Sequence, residues 1–167
     1  YQPLVDATGR IMGLEALARL IHPEKGLISP AEFIPTAEES GLIVPLGDRV
    51  LEIACRDLKT WNDAGYPHLS ISVNFSARQV RQDDFVDKIT SVIRRTGVDS
   101  ANVTIEVTES VIMTDPEVTA AKLEALRERN PGICFAVDDF GTGYSSLSYL
   151  TNFPIDVLKI DRSSTRA

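Results

Sequence analysis

Apolar positions along this chain follow two different periods. Val50, Ile53, Ala54, Leu58 and Trp61 recur at three- and four-residue spacing, which predicts a helix from about Leu46 to Ala64 that stops at Gly65. Only Asp57 interrupts that stripe. Further on, strand-like and helix-length segments take turns. Leu69 to Ser76 is expected as a strand, Asp84 to Thr96 as a helix, Val103 to Thr108 as a strand and Pro116 to Arg129 as a helix. Ile133 to Asp139 then reads as a strand, Ser145 to Leu150 as a short helix and Val157 to Asp161 as a strand. Strands that alternate with helices imply right-handed crossovers and a parallel sheet. The polar residues Asn74, Glu106 and Asp138 recur at 32-residue intervals, close to the roughly 30 residues of one strand-helix-strand step.

The first forty residues read differently. Tyr1 to Asp6 and Ile11 to Arg19 are two strand-like runs joined by Ala7-Thr8-Gly9-Arg10, a connection short enough only for an antiparallel pair. His22-Pro23-Glu24-Lys25-Gly26 is expected as a loop. Ser29-Pro30-Ala31-Glu32 carries the Ser cap, the Pro at the first helical position and the Glu that open a helix towards Gly41. A start at Tyr1 with no lead-in reads as a piece of a longer chain. No low-complexity segment or linker interrupts residues 1–167, which are expected to form a single domain.

Within each strand one parity is polar or small and the other apolar. Ser70, Ser72 and Asn74 oppose Ile71, Val73 and Phe75, and Thr104 and Glu106 oppose Ile105 and Val107. Cys134, Ala136 and Asp138 oppose Phe135 and Val137, and Lys159 and Asp161 oppose Leu158 and Ile160. A parallel sheet covered on both faces needs apolar strands throughout, so the alternation points to a barrel. The apolar parity would pack on outer helices, and the polar parity would converge near the C-terminal strand ends, where barrel active sites are built. An antiparallel sheet with one wet face is the alternative.

In a barrel Glu15, Asn74, Glu106, Asp138, Asp139 and Lys159 share one mouth. Asp138 and Asp139 can serve one site only if the backbone turns between them, because neighbouring side chains on a strand face opposite ways. The glycines of Gly141-Thr142-Gly143 follow directly. Clustered carboxylates repel one another, and hard divalent cations such as Mg²⁺ or Mn²⁺ are the economical remedy because they select oxygen ligands. Two such cations held by carboxylates, one carboxylate bridging them, are a recurring device for displacement at phosphorus.

Composition narrows the remaining choices. The chain has 167 residues, 43% hydrophobic and 25% charged, the balance of a folded globular domain able to bury a core. A formal charge of −7 disfavours non-specific binding of a nucleic-acid polymer and repels anionic substrates unless cations intervene. No apolar run approaches the roughly 20 residues of a membrane helix, and no signal-like segment opens the chain, so a cytoplasmic location is expected. Cys55 and Cys134 sit in apolar contexts and are expected as buried reduced thiols, and His22 and His68 as surface residues.

Six motifs taken together resemble the EAL domain, the bacterial cyclic di-GMP phosphodiesterase. They are Glu15-Ala16-Leu17 within Gly13 to Arg19, Ser29-Pro30-Ala31-Glu32-Phe33-Ile34-Pro35 and Val73-Asn74-Phe75-Ser76-Ala77-Arg78-Gln79. Glu106-Val107-Thr108-Glu109-Ser110, Asp138 to Tyr149 and Leu158-Lys159-Ile160-Asp161-Arg162-Ser163 complete the set. The resemblance implies an α/β TIM-like barrel whose first strand is antiparallel, here incomplete at about six of eight strands. It implies hydrolysis of one 3′–5′ phosphodiester of cyclic di-GMP to linear pGpG.

By position, the resemblance makes Glu15, Asn74, Glu106 and Asp138 ligands of a first metal, with Asp138 bridging to a second that Asp139 also binds. Lys159 would position or deprotonate the attacking water. Glu109 would anchor the Asp139-to-Ser146 loop, which in the family couples metal binding to dimerisation. Gln2 and Arg19 would contact base and phosphate, and Asp161 would be a further substrate-binding residue.

A family domain runs about two strand-helix units further and carries there another metal-site Glu and a Gln near the attacking water. This chain instead reads Ser164-Thr165-Arg166-Ala167. The expectation is therefore a complete first metal site, a partial second one and impaired hydrolysis, with oligomers or a swapped dimer formed through the open edge alongside any homodimer made through the Asp139-to-Ser146 loop. The parent protein would carry sensory or GGDEF domains and could be tethered to the inner membrane. A catalytically silent EAL module that binds cyclic di-GMP or a protein partner is the competing function.

Overall fold

A computed structural model describes residues 1–140 and 153–160. The expected helix Ser145 to Leu150 and Asp161 lie outside the described residues. In chain order the elements begin with β1 (Gln2–Val5), β2 (Ile11–Ala16), β3 (Leu20–His22), β4 (Gly26–Ile28), α1 (Pro30–Ser40) and α2 (Ile43–Asp63). They continue with β5 (Ser70–Phe75), α3 (Ala77–Val80), α4 (Phe85–Thr96), β6 (Val103–Thr108), α5 (Glu109–Thr114), α6 (Pro116–Arg129), β7 (Cys134–Phe140) and β8 (Val157–Ile160). A single 3₁₀ turn, Ser100–Asn102, leads into β6.

Six strands form one sheet in the order β1-β2-β5-β6-β7-β8. β1 pairs antiparallel with β2, and every later neighbour is parallel. This is a curled half-barrel, an α/β sheet with the antiparallel entry that the opening hairpin predicts. The wet-faced antiparallel alternative is excluded by the parallel registers Asn74↔Glu106 and Thr108↔Asp138. No described helix is long and apolar enough to cross a membrane.

The apolar parity packs as expected beneath the helices. Ile71, Val73, Val103, Ile105, Phe135 and Val137 are buried with Leu51, Leu58, Ile89, Leu123 and Leu126 in one cluster. Fully burying each such side chain contributes about 1.5–3 kcal/mol, so this layer dominates the fold's stability. β8 departs from the expectation. Leu158 and Ile160 stay 40% and 63% exposed, because the described helices cover the sheet only as far as β7.

Several local features differ from the sequence reading. The segment expected as a loop, His22 to Gly26, is the tip of a separate two-stranded hairpin, in which Leu20 pairs with Ile28 and Ile21 with Leu27. The His22 ring at the end of β3 accepts the Glu24 and Lys25 amides of the turn and stays exposed. α2 begins three residues before the predicted start, since Pro45 falls in its first turn, where its missing N–H is no loss. The Ser29 side chain makes no capping bond; its backbone carbonyl accepts Glu32 and Phe33 instead. Asp57, the break in the α2 stripe, accepts the Tyr1 hydroxyl at 2.6 Å, while the Tyr1 ring stands edge-on to Trp61. Cys55 is buried, which pushes its thiol up to about 12, but Cys134 is only half-buried.

α3 is short and depends on its cap. Ser76 Oγ accepts the Gln79 amide while Gln79 Oε1 accepts Ser76 N and Oγ, a reciprocal capping box. The rest of the Gln79 carboxamide lies against Gly47 of α2. A Cβ added at Gly47 would stand 1.8 Å from Gln79 Nε2 and 2.7 Å from its Cδ. The glycine thus allows the close approach of α2 to α3, which directly follows the end of β5.

The end of β7 is bent. Register shifts between Val137 and Phe140, and Asp139 has φ 55, the only positive φ among the described non-glycine residues. This is a bulge rather than the expected strand end, and it supplies the turn between Asp138 and Asp139 that their adjacency requires.

Two predictions follow from these contacts. Gly47→Ala should lower unfolding stability by about 1–3 kcal/mol through overpacking on the pinned Gln79 carboxamide, measured by urea denaturation. In a Gln79→Ala background the same change should cost far less, and an equal cost in both backgrounds would count against the interlock. At the bulge, Asp139→Val should be less stable than Asp139→Gly by roughly 1–2 kcal/mol, the penalty of left-handed backbone for a branched side chain. Equal stability of the two variants would mean that this backbone conformation is not held in solution.

Candidate metal and catalytic site

Parallel registry brings the polar parity of four strands to one end of the sheet. Glu15 stands opposite Ser72, and Asn74 opposite Glu106 one inward position further on. Asp138 follows Ala136, which faces Glu106 on β7. As a result Glu15, Glu106 and Asp138 present carboxylate oxygens that all lie within 4.8 Å of one another. Asn74 Nδ2 donates to Glu15 Oε1 at 2.8 Å.

Lys159 enters this group from β8. Its Nζ donates to Glu106 Oε2 at 2.7 Å and to Glu15 Oε2 at 3.1 Å, and lies 3.7 Å from Asp138 Oδ1. Burial alone would lower the Lys159 pKa, but its hydrogen bonds and attraction to Glu106 and Glu15 outweigh that and hold it above the ordinary lysine value. The side chain is a charged ammonium at neutral pH.

Glu106 is the deepest of the set, at 1% exposure. Burial raises its pKa, the Glu15 charge adds to that, and Lys159 together with the Ser72 hydroxyl opposes it. An ionised carboxylate buried without a partner costs several kcal/mol, so Lys159 offsets a cost inherent in placing Glu106 there.

The remaining expected residues are distributed around this centre. Asp139 is exposed, and its amide donates to Asp138 Oδ1 at 3.0 Å, which fixes the Asp138 carboxylate across the bulge. Gln2 is exposed on β1 directly opposite Glu15. Arg19, just past the end of β2, is exposed and bonds the Ala18 carbonyl at 2.9 Å. Glu109 is buried at the first position of α5, on the same strand-to-helix turn that leaves β6 after Glu106. The loop it is expected to anchor lies outside the described residues, as does Asp161. The sequence reading missed the support given by Gln79, although the Ser76-Ala77-Arg78-Gln79 spacing is a legible capping box.

Oxygen donors are what the cluster offers: three carboxylates, and an amide oxygen within the same Asn74 side chain. That set fits a hard divalent cation such as Mg²⁺ or Mn²⁺ and lacks the sulfur and imidazole ligands that softer ions favour.

Comparison with known proteins agrees with this geometry. The sequence profile of the EAL domain matches residues 1–167. The chain is 45% identical over 163 residues to the bifunctional diguanylate cyclase/cyclic di-GMP phosphodiesterase MucR of Pseudomonas aeruginosa, covering 97% of this chain and 24% of that protein. It is 43% identical over 164 residues to the cyclic di-GMP phosphodiesterase NbdA of the same organism, covering 98% and 21%. The chain thus spans about a quarter or less of these two relatives. Among solved structures, the PaMucR phosphodiesterase in complex with c-di-GMP superposes with a TM-score of 0.92 at 43% identity, over 98% of this chain and 66% of that one. The half-barrel with its carboxylate-lined mouth belongs to the EAL domain family.

Proposed function

We propose that this chain is a divalent-metal-dependent phosphodiesterase domain that opens one 3′–5′ phosphodiester of cyclic di-GMP to linear pGpG. The observation that carries the reading is the convergence of Glu15, Glu106 and Asp138, from three different strands, within 4.8 Å. Family membership and the cyclic di-GMP bound to the PaMucR relative support the choice of substrate.

In this reading Glu15, Asn74, Glu106 and Asp138 hold one ion, and Asp138 with Asp139 reaches a second. Such ions, when bound, stabilise the attacking and leaving oxygens of the displacement. The chain's own residues do the rest. Gln2 and Arg19 hold the base and phosphate, and the Arg19 charge offsets repulsion between the dianionic ligand and a protein of net charge −7. Lys159, which reaches the same carboxylates, donates a hydrogen bond to the attacking water and orients it. Water oxygen forms the new bond to phosphorus, the bond to the ribose 3′ oxygen breaks, one of the water's protons ends on that oxygen as it leaves as a hydroxyl, and the other passes from the new phosphomonoester to solvent.

Incubation of the protein with cyclic di-GMP and Mg²⁺ or Mn²⁺, followed by chromatography, should yield pGpG that disappears on chelation. Glu15→Ala should abolish that turnover and the Mn²⁺ binding seen by calorimetry while leaving the fold nearly unchanged, since Glu15 contributes little to packing. Binding of cyclic di-GMP without any pGpG would favour the silent-module reading, and undiminished Mn²⁺ affinity in Glu15→Ala would remove that residue from the ligand set.

A further inference from the structure

The position between the three carboxylates is taken by a side chain of this chain. The Lys159 ammonium has three protons to donate, and it faces three oxygens from three strands, Glu106 Oε2, Glu15 Oε2 and Asp138 Oδ1, at 2.7, 3.1 and 3.7 Å. These are the residues that a divalent ion would need, and the ammonium already holds two of them, Glu106 Oε2 and Glu15 Oε2, by hydrogen bonds, with Asp138 as a longer ion pair. The Asn74 amide is likewise engaged through its nitrogen, donating to Glu15 Oε1, so its oxygen faces away from Glu15.

Resting on the metal-site reading above, we propose that Lys159 is the internal counter-ion of the carboxylate cluster, and that a divalent ion gains the site by exchange with it. The exchange withdraws the ammonium along its flexible four-carbon stem and turns Asn74 to present its oxygen. Two consequences follow. Without a divalent ion the buried Glu106 is never left without a partner, and the fold tolerates a carboxylate cluster before loading. With one bound, Lys159 is released to the water it orients, so the lysine becomes available for chemistry only in the loaded site.

The exchange is tested by titrating wild type and Lys159→Met with Mn²⁺ in a calorimeter, without nucleotide. Removing a positive charge within about 4–6 Å of a charged site alters its ionic equilibria by roughly ten-fold or more, so the Met variant should bind Mn²⁺ at least that much more tightly. A second measurement needs no variant. Amine acetylation of the wild-type protein, read by peptide mass spectrometry with Lys25 and Lys59 as references, should label Lys159 several-fold faster once Mn²⁺ is added. Unchanged labelling of Lys159 overturns the exchange whatever the variant's affinity, and so does an affinity that is equal or weaker in Lys159→Met. Wild-type protein that takes up no Mn²⁺ overturns the metal reading and the exchange together, whereas wild-type binding with unaltered variant affinity overturns the exchange alone.

Discussion

Like charges held close together in a poorly solvated place are the constraint on which this molecule turns. Glu15, Glu106 and Asp138 come within 4.8 Å of one another, and Glu106 is almost fully withdrawn from water. Bringing even two carboxylates this close drives one of them towards the neutral form unless positive charge is supplied. Lys159 supplies it, and three ion pairs converge on a single ammonium. The outer ion pairs, such as Arg49 with Glu52 and Arg95 with Glu52, sit on exposed helix surface, where each contributes about 0–1 kcal/mol. The inner ones decide whether the site can exist.

The scaffold meets that constraint by keeping packing and chemistry on opposite faces of one sheet. Side chains of one parity on β5, β6 and β7 build the core under the helices, and those of the other parity carry the polar groups. Parallel pairing then brings the polar groups to the same end of each strand, where Asn74 stands beside Glu106 and Thr108 beside Asp138. A one-residue slip in any strand would exchange its two faces and destroy core and site together. The bulge at Asp139 breaks this alternation at the mouth of the site. Backbone strain there directs two consecutive carboxylates from one strand end, and the Asp139 amide holds Asp138 in place.

Much of this was legible in the sequence because period two and period 3.6 are strong signals in long segments. The strands carrying Asn74, Glu106, Asp138 and Lys159, and the parity that groups them, were all readable from alternation alone. What escaped was local or tertiary. β3 and β4 are three residues each, too short for a period to show, and they exist because each completes the other. Asp57 looked like a flaw in an apolar stripe, yet its partner is Tyr1, fifty-six positions away. Leu158 and Ile160 were expected under helices, since a parity pattern says which side chains share a face and not what covers that face. The position of the Lys159 ammonium among three carboxylates is also beyond sequence periodicity. A lysine stem reaches several places, and the electrostatic field of side chains from other strands selects one.

That field makes the site's occupancy the central question. Crystals of the protein grown with Mn²⁺, measured at a wavelength sensitive to manganese, give the most direct answer. The account predicts anomalous density bounded by oxygens of Glu15, Asn74, Glu106 and Asp138, with the Lys159 ammonium displaced from Glu106. Density at another place, or none while Lys159 remains hydrogen-bonded to Glu106 and Glu15, would contradict it.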